Sequence, residues 1–341
     1  MASLQESVIC SLNFGTGQCS ASNTIFGTCA GNAYTSGTNN VAIGFYAGRA
    51  TSGSRRVSVG YKAGFASTTG SDNFMFGSLV GVANYNGNTS ILIGQNAGYF
   101  TSYNSVGIGA GSLRTGTNIG NTAIGLLTLC GSGNKQCRTA IGYRAGIVNG
   151  GDSTVLVGYA AGSNAGGNCS VAIGAYTGRF GTNTNTTQVG FYAYDGNYCS
   201  NRFVLGKYGC SSAFIYVAWS NVSDYRDKTN IETLPNNLGL NFIRKLRPVS
   251  FKFDYRREYM FKCGFEFGEK DGTLKKDELN YGFLAQEIEK AAKDLNVTFD
   301  GVSYDEYNDG YTLKTLELIS PIVKSIQELN NELDLIEQQL V

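Results

Sequence analysis

An apolar-apolar-glycine step returns twelve times between Asn23 and Cys210, in segments such as "AIGFYAG", "SVGYKAG", "LIGQNAG", "AIGYRAG" and "AIGAYTG". Its glycines are Gly27, Gly44, Gly60, Gly77, Gly94, Gly109, Gly125, Gly142, Gly158, Gly174, Gly190 and Gly206, fifteen to seventeen residues apart. The units vary on a pattern N-[ST]-x-[AVL]-[IV]-G-x-x-A-G followed by a polar stretch of Ser, Thr, Gly and Asn. Short alternating segments bounded by Gly and Asn make strands and turns, not helices. A unit of this size cannot bury a face alone, whereas stacked units bury a continuous core, so the pattern predicts a mainly β solenoid or β-roll of about twelve 16-residue repeats. With strands about 4.8 Å apart, twelve rungs make a rod of roughly 58 Å. The small Ala and Gly positions point to a narrow core or to close approach between chains.

Charge divides the chain at one point. Met1 to Val222 carries eleven Lys/Arg and four Asp/Glu, net +7, and Ser223 to Val341 carries sixteen against twenty-two, net −6. Such a reversal marks a domain boundary. We therefore expect residues 1–22 to form an N-terminal segment, 23–212 the repeat, 213–222 a connector and 223–341 a separate domain. The absence of histidine removes the usual general base, and nine scattered cysteines with no C-x-x-C pair lack zinc-ligand spacing. They read as reduced, buried small residues. Four acids before Ser223 are too few for calcium in every repeat. No cofactor and no metal are expected. "MASLQES" opens without an apolar run, so no signal peptide is expected, and the longest apolar runs are too short for membrane insertion.

Beyond Ser223 the sequence predicts an amphipathic helix through Leu238, Phe242, Ile243 and Leu246, then a strand Val249 to Phe253 after Pro248. A helix is expected from about Ala285 to Leu295, and two short strands within "VTFDGVSYDEYNDGYTL". At the end, Ile319, Ile322, Ile326, Leu329, Leu333, Ile336 and Leu340 recur at alternating three and four, a heptad seam for a self-associating coiled coil. Ser320-Pro321 fits an N-cap and first-turn start, leaving Ile319 just outside. An ordinary helix packed on its own domain is the competing reading. The fold class is thus a β-solenoid followed by an α+β domain that ends in a coiled-coil helix.

The repeat resembles the heads of trimeric autotransporter adhesins and the "NTAIGxxAG" repeats of phage and viral fibres, over about Asn23 to Cys210. Autotransporters need a secretory signal and a C-terminal membrane barrel, so the fibre branch is favoured over a bacterial surface adhesin. The C-terminal portion resembles the intramolecular chaperone, self-cleaving domain of phage endosialidases, tail spikes and fibres. Its opening motif S-D-x-R-x-K-x-N-I stands here as Ser223, Asp224, Arg226, Lys228, Asn230 and Ile231. "LRPVSFKF", "YGFLAQEIE" and "ISPIVKSIQEL" are similar to its later signatures.

These resemblances imply a homotrimeric virion fibre or spike, assembled in the host cytoplasm. Its N-terminus would join a tail, baseplate or capsid protein, and a host surface glycan or receptor is a further candidate partner; nucleic acid is not expected. The C-terminal domain would drive trimerisation and folding, then cleave itself off between Val222 and Ser223. Ser223 would be the nucleophile and Lys228 its base, in at most a single-turnover self-cleaving Ser-Lys endopeptidase. Asp224, Arg226 and Asn230 would shape the turn or polarise the carbonyl. A lysine acts as a base only when neutral, which requires burial or a nearby cation to lower its ordinary pKa of about 10.4 by about 3 units. Family members often carry His before the "GF-AQE" signature, where this chain has Tyr281. Two alternatives stay open: the same architecture with the domain retained as a cap, and a polysaccharide depolymerase. The latter needs two close carboxylates, while Glu6, Asp72, Asp152 and Asp195 are widely spaced. The tyrosines of the repeat read equally as packing or as binding residues.

Overall fold

The structure is a computed structural model that describes residues 22–34, 36–66, 69–83, 87–100, 102–116, 118–131, 133–148, 151–163, 167–178, 184–193, 200–206, 216, 220–259, 269–305 and 309–340. It divides into two compact units, Met1–Cys210 and Ser211–Val341. The N-terminal segment through residue 21 and most of the expected connector lie outside the described residues.

The first unit is a parallel β-solenoid. Twelve three-residue strands, from Thr24–Phe26 and Val41–Ile43 to Thr187–Val189 and Phe203–Leu205, stack in chain order in one sheet. The pairing is in register: Ala42 faces Ile25 and Ser58, and Ala123 faces Gly107 and Ala140. Each strand ends directly before one of the step glycines. Gly44 shows why glycine is needed there. Its φ of +127° is closed to L side chains, and a Cβ would lie 2.6 Å from the carbonyl oxygen of Gly60 in the next rung.

The rung interior is small, as the alternation demands. The central strand residues Ala42, Met75, Leu92, Ala123, Ala140 and Leu156 are buried, as are Ala47, Ala63, Ala97, Ala145 and Ala161 of the x-x-A-G segments. The residue four before most step glycines is buried and polar, in a column that includes Asn40, Arg56, Asn73, Ser90, Asn121 and Arg138. Asn121 shows what an amide in this column does: its Nδ2 donates to Lys135 O at 2.9 Å, and its Oδ1 accepts from Arg138 N at 2.8 Å, both in the next rung. One amide thus ties two backbone groups of the next rung, the buried Arg138 N and the Lys135 O that also accepts from Ile119 N at 3.2 Å. Burial lowers the Arg138 guanidinium to about 10.

The last residue of each strand, beside the step glycine, is apolar and at least partly exposed. Among them Phe26, Ile43, Phe76, Ile108, Ile124, Ile141, Ile173 and Leu205 form a row, between 36 and 57% exposed. The expectation of buried cysteines does not hold for those described. Cys29 and Cys130 are half-buried, Cys137 and Cys169 exposed, and all four are free thiols. Cys137 and Cys169 occupy left-handed turn corners at φ 55° and 52°, outside the core.

The second unit is small and α+β. Its core gathers Leu238, Phe242, Ile288, Ala291, Ala292 and Leu318. The single amphipathic helix expected around Phe242 is instead a 3-10 turn, Asn236–Leu238, and a four-residue helix α1, Leu240–Ile243. Gly239, at φ −96° and ψ −128°, breaks the run between them. The strand after Pro248 is Val249–Phe251, shorter than expected, and pairs antiparallel with Asn280–Gly282. Helix α2 spans Ala285–Asp294, and Val302–Asp305 pairs antiparallel with Gly310–Leu313. The chain ends in the 22-residue helix α3, Ile319–Leu340. Ile319 lies inside α3, contrary to expectation, because the 3-10 turn Thr315–Leu318 runs straight into it. Pro321 then sits in the first turn, where its missing N–H forfeits no intrahelical bond.

Candidate functional site

Two features of the second unit carry chemistry. The first is the turn at its start. Asp224 caps a 3-10 turn at Tyr225–Asp227, its carboxylate accepting from Arg226 N at 2.9 Å. The same carboxylate accepts from the Arg226 guanidinium at 2.5 Å, which holds the Asp224 carboxyl below its ordinary range and raises Arg226. Lys228 N closes the turn on Tyr225 O at 3.1 Å, and Asn230 turns the chain away in a left-handed conformation at φ 54°.

This turn carries Lys228 back over Ser223. Lys228 Nζ donates to Ser223 Oγ at 2.6 Å, a contact five residues apart in sequence. That separation permits direct proton transfer between a hydroxyl and an amine in the correct protonation states. Val222, whose carbonyl precedes Ser223, is 88% exposed, and Ser223 and Lys228 are exposed too. The single chain therefore supplies the spacing of a Ser-Lys pair at a solvent-exposed turn. Asp224, Arg226 and Asn230 belong to the turn: two bind each other and the third bends the backbone. Tyr281 is the central residue of strand Asn280–Gly282, opposite Ser250, and is 79% exposed. The Ser223–Lys228 hydrogen bond is made without it.

The second feature is α3. Pro321 and Ser325 are buried, Lys324 and Glu328 half-buried, and this face packs on the unit. Glu328 accepts from Leu240 N at 2.7 Å, capping α1 from 88 residues away. The seven heptad residues lie on an adjoining stripe. Ile319, Ile322, Ile326, Leu329, Leu333, Ile336 and Leu340 are all at least 40% exposed. The face that packs on the unit is thus mostly polar and small, and the apolar stripe stays open. Sequence reading missed Glu328, because a carboxylate that caps a distant helix leaves no local signal.

The acids considered for glycosidic chemistry are used otherwise where described. Asp72 pairs with Arg55 at 2.5 Å, and Asp152 accepts from Gln136 N at 2.9 Å. Glu6 and Asp195 lie outside the described residues.

Residues 223–296 match the family described as chaperone of endosialidase. The match covers about a fifth of the chain, begins on Ser223 and supports a C-terminal chaperone domain of this type. No curated protein and no solved structure matches the chain.

Proposed function

We propose that this chain is a trimeric virion fibre or spike whose C-terminal unit is an intramolecular chaperone that assembles the solenoid and then cuts itself away. One observation carries the reading: the family match begins on the very residue whose hydroxyl Lys228 holds at 2.6 Å. Two apolar surfaces support the assembly half of it. The row from Phe26 to Leu205 and the stripe on α3 are each too long and too apolar to be left in water. Three copies bury both, the α3 stripes as a coil and the strand rows as a common core. A parallel sheet of non-local contacts folds slowly and exposes its edges meanwhile. A helical trimeriser fixes register by raising the local concentration of the three chains.

Cleavage then follows from burial of the turn on assembly. Neutral Lys228 takes the proton of Ser223 Oγ, which adds to the carbonyl carbon of Val222. The C–N bond breaks as a proton passes to the freed amine of Ser223, leaving a Val222 ester on Ser223 Oγ. Water hydrolyses that ester to a Val222 carboxylate and a free Ser223 hydroxyl, releasing Ser223 to Val341. Loss of the chaperone leaves a solenoid whose unfolding is hard to reverse. Residues 1–22 would join the particle, and a host surface receptor would meet the solenoid.

A second reading keeps the chaperone as a permanent cap. The solvent-exposed Lys228 and the Tyr281 in place of a histidine favour it. Expression of residues 1–222 alone tests what both readings share. Insoluble or monomeric material is expected, and correctly assembled trimer at normal yield would contradict the chaperone role.

A further inference from the structure

The second and third rungs carry a cluster of aromatic and cationic side chains past the glycine corner, outside the strand row. Phe45 and Tyr61, on successive rungs, are parallel to within 2° with centroids 5.7 Å apart, and each is almost half exposed. Tyr46 meets Phe45 edge-on at 4.4 Å and Phe65 at 5.7 Å. The Arg49 guanidinium lies 5.2 Å from the Tyr46 ring and 5.0 Å from Phe65. Lys62 Nζ lies 5.2 Å from Tyr61 and 5.6 Å from Phe65. Tyr46 and Lys62 hold left-handed backbone, φ 56° and 52°. Asn96 and Gly111 fill that corner in later rungs at less steric cost.

The charge around this cluster is one-sided. Among the described residues of the first unit the carboxylates are Asp72 and Asp152, and Arg55 already pairs Asp72. Both cations of the cluster rest against rings, and among the described residues neither forms an ion pair. Offset rings that keep part of a face open present an apolar, weakly negative surface that stacks on the C–H face of a sugar ring. Cations held against neighbouring rings by cation–π contact stand beside that surface, where a carboxylate on the same polymer would meet them.

We propose that Phe45, Tyr46, Arg49, Tyr61, Lys62 and Phe65 form a binding site for a carboxylate-bearing polysaccharide. The inference rests on the attachment-fibre reading and gives its receptor contact a place and a ligand class. Successive rungs repeat at the strand spacing of about 4.8 Å, so the site extends along the solenoid as a polymer does. Glycan is favoured over single-stranded nucleic acid because the cluster sets only two cations, Arg49 and Lys62, among four aromatic rings. That balance lacks the dense basic groove that tracks a phosphate backbone.

The test uses the protein expressed from the full-length chain, cut or uncut, immobilised at low salt, with alginate and hyaluronan as acidic polymers, dextran as the neutral one and a thymidine oligonucleotide as the nucleic acid. The expectation is binding to at least one acidic polymer and none to dextran. Affinity should fall as salt rises. Arg49→Gln with Lys62→Gln, and separately Phe45→Ala with Tyr61→Ala, should each weaken binding by about tenfold or more. Light scattering on every sample reports the oligomer. Wild type that is trimeric but binds neither acidic polymer overturns the site and spares the fibre reading. Wild type that is not trimeric overturns the fibre reading whatever it binds. Oligonucleotide binding as tight as the polysaccharide overturns the ligand class. Loss of trimer in the aromatic variant, with wild type intact, means the cluster is an interface between copies and overturns the proposal.

Discussion

Ile124→Asp probes the outward strand row at its middle. Ile124 is 38% exposed and stands in register between Ile108 and Ile141. Covering the whole Ile side chain stabilises by about 1.5–3 kcal/mol, so the exposed part of each residue in the row leaves about 1 kcal/mol to gain. Eight such residues from Phe26 to Leu205 give about 8 kcal/mol per chain and about 24 for three chains. Forming a trimer takes two associations at roughly 4–15 kcal/mol each, so the row supplies a large share of what assembly needs. An aspartate at position 124 on each chain removes the three isoleucines and buries three unpaired charges at about 3 kcal/mol or more apiece. About 10 kcal/mol or more is thus lost, before the carboxylates repel one another. Light scattering and thermal melts read the outcome, with Asn39→Asp as control: it adds the same charge at an exposed turn corner with φ 59°. We expect Ile124→Asp to lose trimer or to melt far below wild type, and Asn39→Asp to match wild type. An Ile124→Asp protein of wild-type mass and melting temperature would refute the buried row.

Gly44→Ala should destabilise the solenoid by about 3 kcal/mol, since φ +127° and the Gly60 carbonyl both oppose a Cβ; Gly133→Ala, at φ +66° with nothing within 4 Å, should cost only the left-handed backbone penalty of about 1 kcal/mol and is the comparison in denaturant titration. Ile326→Asp places a charge on the open stripe of α3, where Ile326 is 59% exposed, and should reduce the yield of trimer while leaving the circular dichroism of the C-terminal unit unchanged. If wild-type protein proves slow to cut, Tyr281→His should speed it in a time course on denaturing gels, and an unchanged rate would remove position 281 from the reaction.

The solenoid was legible because each rung repeats one physical solution. A glycine closed to side chains, a buried centre and a small alanine recur at Gly44-Ala42-Ala47 and again at Gly142-Ala140-Ala145. The period counts rungs directly. Less regular parts were harder to read. Gly239 splits the helix expected around Phe242, since a lone glycine in an apolar pattern does not announce a break. Ile319 was placed outside α3 because Ser320-Pro321 has the composition of a helix start, and only the preceding 3-10 turn carries the helix back past it. The Ser223–Lys228 contact lies within one turn, so spacing alone brings the two together. The Glu328 cap on Leu240 spans 88 residues and depends on tertiary packing that no local pattern encodes.

The central claim is that assembly turns the Ser223–Lys228 contact into a cut. Intact mass of purified wild type, Ser223→Ala, Lys228→Ala and Lys228→Arg measures it directly. The account predicts that wild type separates into residues 1–222 and a 119-residue fragment beginning at Ser223. Ser223→Ala should remain whole because it lacks the nucleophile. Lys228→Ala should remain nearly so, and Lys228→Arg should not restore cutting because a guanidinium does not become the neutral base. All three variants should still be trimeric. Wild type that stays at full-length mass after prolonged incubation at mildly alkaline pH, or a Ser223→Ala protein that is cut at the same bond, would contradict it.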